Sequence, residues 1–146
     1  MTERGGTGGA PLCAESPITV RYAETDRMGA VYHANYLVWM EVGRTDYLAL
    51  LGFPYSGLED GGVMFPVVEA NVRLRSPSYY EDNLSVLTTL ELLRSRKVAF
   101  SYRLVRGEEL IVDGRTVHVC VDREMKPRKI PSPLYRALRR SLDGGG

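Results

Sequence analysis

The stretch Tyr22-Ala-Glu-Thr-Asp26-Arg-Met-Gly29-Ala-Val-Tyr32-His33-Ala-Asn35-Tyr36 decides how this chain folds. Residues 18–22 lead into it as a strand, since Ile18, Val20 and Tyr22 alternate with polar positions. Residues 36–51 lead out of it as a helix. Tyr36, Met40, Gly43, Tyr47 and Leu50 recur at helical spacing, and Leu37, Leu48 and Leu51 widen the stripe. Asp26 and Gly29 fall in the connection, with His33, Ala34 and Asn35 at the helix entrance. A helix N-terminus carries unpaired N–H groups and the positive dipole end, which suits an oxyanion or a polarised carbonyl. A carboxylate beside it is placed to act as nucleophile or general base.

Working outward, Gly43 costs the helix about 1 kcal/mol relative to Ala, so close approach to a packing partner is the expected return. Gly52 and Pro54 end the helix. Residues 54–62 read as a loop with a short helical turn. Four strand-like runs follow at 64–74, 83–93, 97–106 and 110–121. Arg94 to Arg96 form a tight turn, and Gly107-Glu108-Glu109 a hairpin. Pro131 and Pro133 precede a short basic helix over 134–142. One long helix after the first strand, then four consecutive strands, is an α+β pattern. An antiparallel β-sheet wrapped around one long central α-helix satisfies it. Residues 1–16, with Gly5, Gly6, Gly8 and Gly9, read as a disordered tail. Residues 17–142 read as a single domain, and 143–146 as a second disordered tail.

A chain of 146 residues with 44% apolar and 25% charged residues is an ordinary globular composition, large enough for a real core. The net charge of +1, from 19 basic against 18 acidic residues, calls for neither nucleic acid nor a membrane surface. No apolar run is long enough to span a bilayer, so stable membrane insertion is not expected. Residues 1–10 hold no apolar segment of the signal-peptide kind, which leads to a cytoplasmic expectation. Cys13 and Cys120 make no disulfide framework and lack zinc-ligand spacing; both read as free thiols in a reducing compartment.

The quoted stretch resembles hotdog-fold acyl-CoA thioesterases of the 4-hydroxybenzoyl-CoA thioesterase and Tol-Pal-associated thioesterase group. Tyr22, Thr25, Asp26, Gly29, Val31, Tyr32, His33, Asn35 and Tyr36 carry the resemblance. It continues through Phe65-Pro66-Val67-Val68-Glu69-Ala70, Arg75-Ser76-Pro77, Arg94-Ser95-Arg96-Lys97 and Thr116-Val117-His118-Val119. The resemblance implies the hotdog fold and hydrolysis of an acyl-CoA thioester to a carboxylic acid and free CoA. It implies subunits paired so that their sheets become continuous, with active sites at the dimer interface, and a tetramer of two such dimers. No metal or organic cofactor is called for, coenzyme A being part of the substrate.

Asp26 is the first candidate for catalysis. There is no Gly-x-Ser-x-Gly elbow, and His33 and His118 are the two histidines. Taken alone, an Asp in this setting closes a turn; within the motif it attacks the carbonyl or deprotonates water. The backbone amides near His33 and Ala34 face a substrate carbonyl. The His33 side chain contacts the acyl group or orients Asp26 in the functional reading, and caps or packs in the structural one. Tyr32 either lines the acyl pocket or packs. Asn35 caps the helix, and Gly29 permits the backbone turn.

Arg94, Arg96 and Lys97 form a basic turn that fits CoA phosphates, or a solvated surface turn. Glu41 lies beside the helix stripe and reads as structural or solvent-facing. Arg73 and Arg75 read as surface or interface residues, and Glu69 as an interface acid. Trp39 and Met40 read as core. Tyr32, Tyr36, Tyr55, Met64 and Phe65 suit either an aromatic or an aliphatic acyl pocket. Arg136, Arg139 and Arg140 on the last helix offer a contact for an acidic partner such as acyl carrier protein, or a solvated face. Two alternatives stand beside the thioesterase: a non-catalytic acyl-thioester binding module, and a hotdog hydratase or dehydratase.

Overall fold

The computed structural model describes residues 10–144. Five strands and three helices follow one another: β1 (Ala14–Thr19), α1 (Ala34–Leu50), α2 (Tyr55–Asp60), β2 (Val67–Leu74), β3 (Asn83–Leu93), β4 (Lys97–Arg106), β5 (Glu109–Val119) and α3 (Ser132–Asp143). A 3-10 turn at Tyr22–Glu24 precedes α1. The strands make one antiparallel sheet in the order β1-β3-β4-β5-β2, so β1 and β2 are its edges. α1 packs chiefly on β1, β3 and β4. The expected α+β architecture, an antiparallel sheet around one long helix, is the one observed.

Alternation builds the inner face of the sheet. Leu84, Val86, Thr88 and Leu90 of β3 are buried, as are Val98, Phe100, Tyr102 and Leu104 of β4. Tyr36, Trp39, Met40, Gly43, Tyr47 and Leu48 of α1 meet them. A Cβ at Gly43 would stand 2.3 Å from Thr88 Oγ1 and 2.9 Å from Val86 Cγ1. The glycine is therefore the close approach its sequence position implied. Its cost in helix propensity, about 1 kcal/mol, is offset by burying Met40 and Tyr47, each worth about 1.5–3 kcal/mol. Leu37 and Leu50, placed in the stripe by periodicity, are instead exposed. α1 turns a second apolar side outward, made by Leu37, Val38 and Val42.

The first strand needs correction. Residues 18–22 were expected to form it, but β1 runs Ala14–Thr19 and pairs with β3 from Ala14↔Thr88 to Thr19↔Asn83. It begins inside the stretch read as a disordered tail. Ala14 and Ser16 are buried there, because Ser16 donates to Asp46 Oδ2 at 2.6 Å and thereby joins the edge strand to α1. Residues 1–9 and 145–146 of the expected tails lie outside the described residues. β2 also starts later than expected, at Val67, after the isolated bridge Met64↔Val121. From Val67 to Leu74 only Val72 is even half-buried.

Candidate active site

A back-folded loop joins the 3-10 turn to α1. Tyr32 N–H donates to Glu24 O at 2.8 Å, and Asp26 N–H to Ala30 O at 2.7 Å. Gly29 sits at its tip with φ +83°, where a side chain would strain the backbone. The loop is tied to the segment before β3 by Val31 N–H to Ser78 O at 2.8 Å and by the Ala30↔Tyr79 bridge. Tyr36 and Ser78 then join hydroxyl to hydroxyl at 2.7 Å in the core.

Within this frame Asp26 closes the turn, one of the two roles its sequence position allowed. Its Oδ1 accepts the Met28 amide at 2.8 Å and the Ala30 amide at 3.2 Å, closing the turn. Its Oδ2 carries no hydrogen bond among the described residues, and the side chain is half-buried at the surface. One oxygen is anchored and the other is free.

The helix entrance lies a few residues on. Asn35 N–H is taken by Tyr32 O at 3.0 Å and Tyr36 N–H by His33 O at 3.1 Å. The His33 and Ala34 amides have no backbone acceptor among the described residues, as the first turn of a helix requires. His33 occupies the N-cap position without a side-chain cap, and its exposed ring lies 4.6 Å from that of Tyr32. Tyr32 is 51% exposed. Asn35 does not cap α1 as expected. Its Nδ2 donates to Glu24 O at 3.0 Å and Tyr32 O at 3.2 Å, so it binds the loop to the helix. An amide this close to two carbonyls serves as a donor, whereas a cap must accept.

Glu24 is the residue that sequence reasoning missed. It is 6% exposed and two positions before Asp26. Its carboxylate receives the Arg21 amide at 2.8 Å, the Arg21 guanidinium at 3.1 Å and the Trp39 indole at 3.2 Å. Burial pushes its pKa up, but these donors outweigh burial and leave it below the usual carboxylate value. The available signal was an acid inside the motif stretch three residues after Arg21, the spacing of a capping box.

Arg94, Arg96 and Lys97 are exposed on the β3–β4 turn. The Asp26 loop is bonded to residues just before β3, and this turn follows it. The 11 residues of β3 therefore separate the two by about 35 Å within one protomer. The basic turn backs onto the segment leading to α3, through Ile130 N–H to Ser95 O at 2.8 Å and Cys120 N–H to Arg96 O at 2.8 Å. One chain thus brings together Asp26, Gly29, Tyr32, His33 and Ala34, but not the cationic turn.

Residues 20–138 match the thioesterase-like superfamily, and the chain belongs to that family, with the hotdog fold. YneP of Bacillus subtilis is 46% identical over 112 residues, covering 76% of this chain and 81% of that protein. The acyl-CoA thioester hydrolase YbgC of Escherichia coli O6:H1 is 33% identical over 125 residues, covering 84% and 93%. The solved structure of DHNA-CoA thioesterase from Staphylococcus aureus superposes with a TM-score of 0.84 at 32% identity, covering 88% and 89%.

Proposed function

We propose that this protein is an acyl-CoA thioesterase in which Asp26 drives hydrolysis and the α1 N-terminus stabilises the oxyanion. The observation that carries this reading is the pairing of a half-anchored carboxylate with the open His33 and Ala34 amides. The names of the relatives support the substrate class. With Asp26 as general base, it takes a proton from water as the water oxygen bonds to the thioester carbon. The carbonyl oxygen gathers negative charge and is met by the two amides. Collapse breaks the C–S bond, and the departing thiolate takes the proton back from Asp26. With Asp26 as nucleophile, Oδ2 bonds to the carbon, CoA thiolate leaves, and water then cleaves the mixed anhydride. Oδ2 is free for either role.

The active form in this reading is a homodimer joined through the β2 edges, and two such dimers make a tetramer. β2 is an edge strand exposed on both faces, a surface that sheet proteins ordinarily cover. Antiparallel pairing reverses one sheet relative to the other. The Arg94, Arg96 and Lys97 turn of the partner subunit then lies at the same end of the joined sheet as Asp26, as CoA phosphates require. No described helix is long and apolar enough to cross a membrane, and Cys13 and Cys120 are free thiols. Both fit work in the cytoplasm.

The experiment is free-thiol release from short aliphatic, long aliphatic and hydroxyaromatic acyl-CoAs, run beside Asp26→Asn. Turnover abolished by Asp26→Asn supports the reading. Binding of acyl-CoA without turnover would move the assignment to a binding module, and turnover confined to acyl carrier protein thioesters would change the carrier.

A further inference from the structure

The Asp26 loop rests on the segment between β2 and β3. Ser78, fully buried, accepts the Val31 amide at 2.8 Å through its carbonyl and meets the Tyr36 hydroxyl at 2.7 Å through its side chain. Tyr79 pairs with Ala30, and the Ala30 amide donates to Asp26 Oδ1 at 3.2 Å. Where residues 78 and 79 lie therefore decides where Asp26 points.

Residues 75–82 belong to no helix or strand. The segment is attached at its two ends. The Arg75 and Ser76 amides donate to Ile111 O at 2.8 and 3.1 Å. At the far end the Val20 amide donates to Asp82 O at 2.9 Å, and the Glu81 amide to Val20 O at 3.0 Å. Glu81 holds φ +71°, a conformation that a residue with a side chain keeps only when its surroundings impose it. Between the attachments lie residues 77–80, the part that meets the Asp26 loop. Pro77 brings no amide to hold it.

Arg106, the last residue of β4, closes that gap. Its Nη1 donates to Asp82 Oδ2 at 2.6 Å and reaches Pro77 O at 3.4 Å, so one nitrogen touches both ends of 77–82. Asp82 Oδ2 also accepts the Tyr79 amide at 2.8 Å. The other arm, Nη2, donates to Glu109 Oε1 at 2.6 Å. A continuous route results: Arg106 to Asp82, Asp82 to the Tyr79 amide, Tyr79 to Ala30, and Ala30 to Asp26 Oδ1.

An isolated surface ion pair does little. This one differs in three ways. The Arg106 and Asp82 side chains are only 31% and 23% exposed. The planar guanidinium serves three acceptors at once, two of them through charge-assisted bonds. Its carboxylate partner is shared with a backbone amide of the segment it holds. Arg106 is also absent from the walls of the cleft shared by Ala30, Val31, Tyr36 and Pro77, and of the one shared by Tyr22, Thr25 and Asp26. It acts on the segment, not on a ligand.

We propose that Arg106 is a positioning residue: by clamping residues 77–82 it holds Ala30 against Asp26 and so sets the direction of the carboxylate. Its effect on turnover rests on the thioesterase reading above; the clamp itself does not.

The first arm of the test is amide hydrogen exchange in Arg106→Gln. The Ala30 and Val31 amides should exchange about 10- to 100-fold faster than in wild type, while those at the centre of β3 and β4 change far less. An equal rise at all these sites would mean a loss of global stability and nothing more. No rise would mean that the segment holds itself. Either result overturns the clamp.

The second arm is kinetic, on the acyl-CoA that wild type cleaves fastest, at a temperature where every variant is folded. In Arg106→Gln kcat falls about 10- to 100-fold and KM stays within about twofold, as a misdirected carboxylate requires. Arg106→Lys keeps a cation for Asp82 and recovers part of kcat. Glu109→Gln removes the other ion-pair partner but leaves the Asp82 bond, so kcat stays near wild type. Faster exchange with kcat unchanged, or an equal loss in Glu109→Gln, would overturn the positioning role. A wild-type chain that cleaved no thioester would remove the thioesterase reading, and the exchange arm would still decide the clamp.

Discussion

The Trp39 indole donates to the Glu24 carboxylate at 3.2 Å, so a core residue of α1 is joined to the loop that carries Asp26. Trp39 is 3% exposed and packs edge-on against Tyr36 at 5.4 Å. Any tilt of α1 is therefore felt at Glu24, and through it two residues on. Glu24→Ala leaves the indole and the Arg21 amide without acceptors in a buried setting. The expected cost is about 2–3 kcal/mol in urea or thermal unfolding. If Glu24 positions the loop, kcat falls in the folded fraction with KM nearly unchanged. An active-site titration normalised to folded protein that shows unchanged kcat would contradict this.

Gly43 and Thr88 make a second expected outcome. Gly43→Ala gains about 1 kcal/mol of helix propensity but places its Cβ 2.3 Å from Thr88 Oγ1. The overlap wins, and net destabilisation of about 1–3 kcal/mol is expected. Thr88 Oγ1 is buried without a hydrogen-bond partner among the described residues, so removing it sacrifices no bond. The double variant Gly43→Ala/Thr88→Ala should regain part of the loss, leaving the Val86 contact at 2.9 Å as the remainder. Additive losses in a double-mutant cycle would refute the direct contact.

His118 makes stability fall with acid. Burial, opposed by the Phe65 carbonyl and aided by the Arg44 charge, lowers its pKa from 6.5 to about 4. Between those values the unfolded chain holds a proton that the folded chain lacks, so lowering the pH favours unfolding. The loss grows from pH 6.5 to about 4 and reaches about 3 kcal/mol. Below that, both states are protonated and this contribution stops changing. Chemical denaturation across the range should show the slope in wild type and a flatter one in His118→Gln.

The β2 edge supplies the test of assembly. Val68 and Leu74 are 57% and 58% exposed, so Val68→Lys/Leu74→Lys leaves the protomer core untouched. Light scattering should then report monomers, with turnover lost as the proposed two-chain site requires. A variant that stays dimeric would place the interface elsewhere.

What the sequence determined by itself was local. The termini of β3 and β4 match their alternation residue for residue, because period-two patterns bounded by turn residues need no distant partner to be read. The Asp26–Gly29 loop, the helix after it and the Gly43 approach were legible for the same reason. The tertiary structure decided everything set by non-local pairing. Ala14 to Ser16 became strand only by meeting β3, some 70 residues onward, and Glu24 acquired its role only when α1 carried Trp39 beside it. The Arg94 turn was recognisable as basic, but its separation from Asp26 follows from the direction of β3. Short-range propensity writes the elements, and the burial of their faces against one another decides which side chains meet.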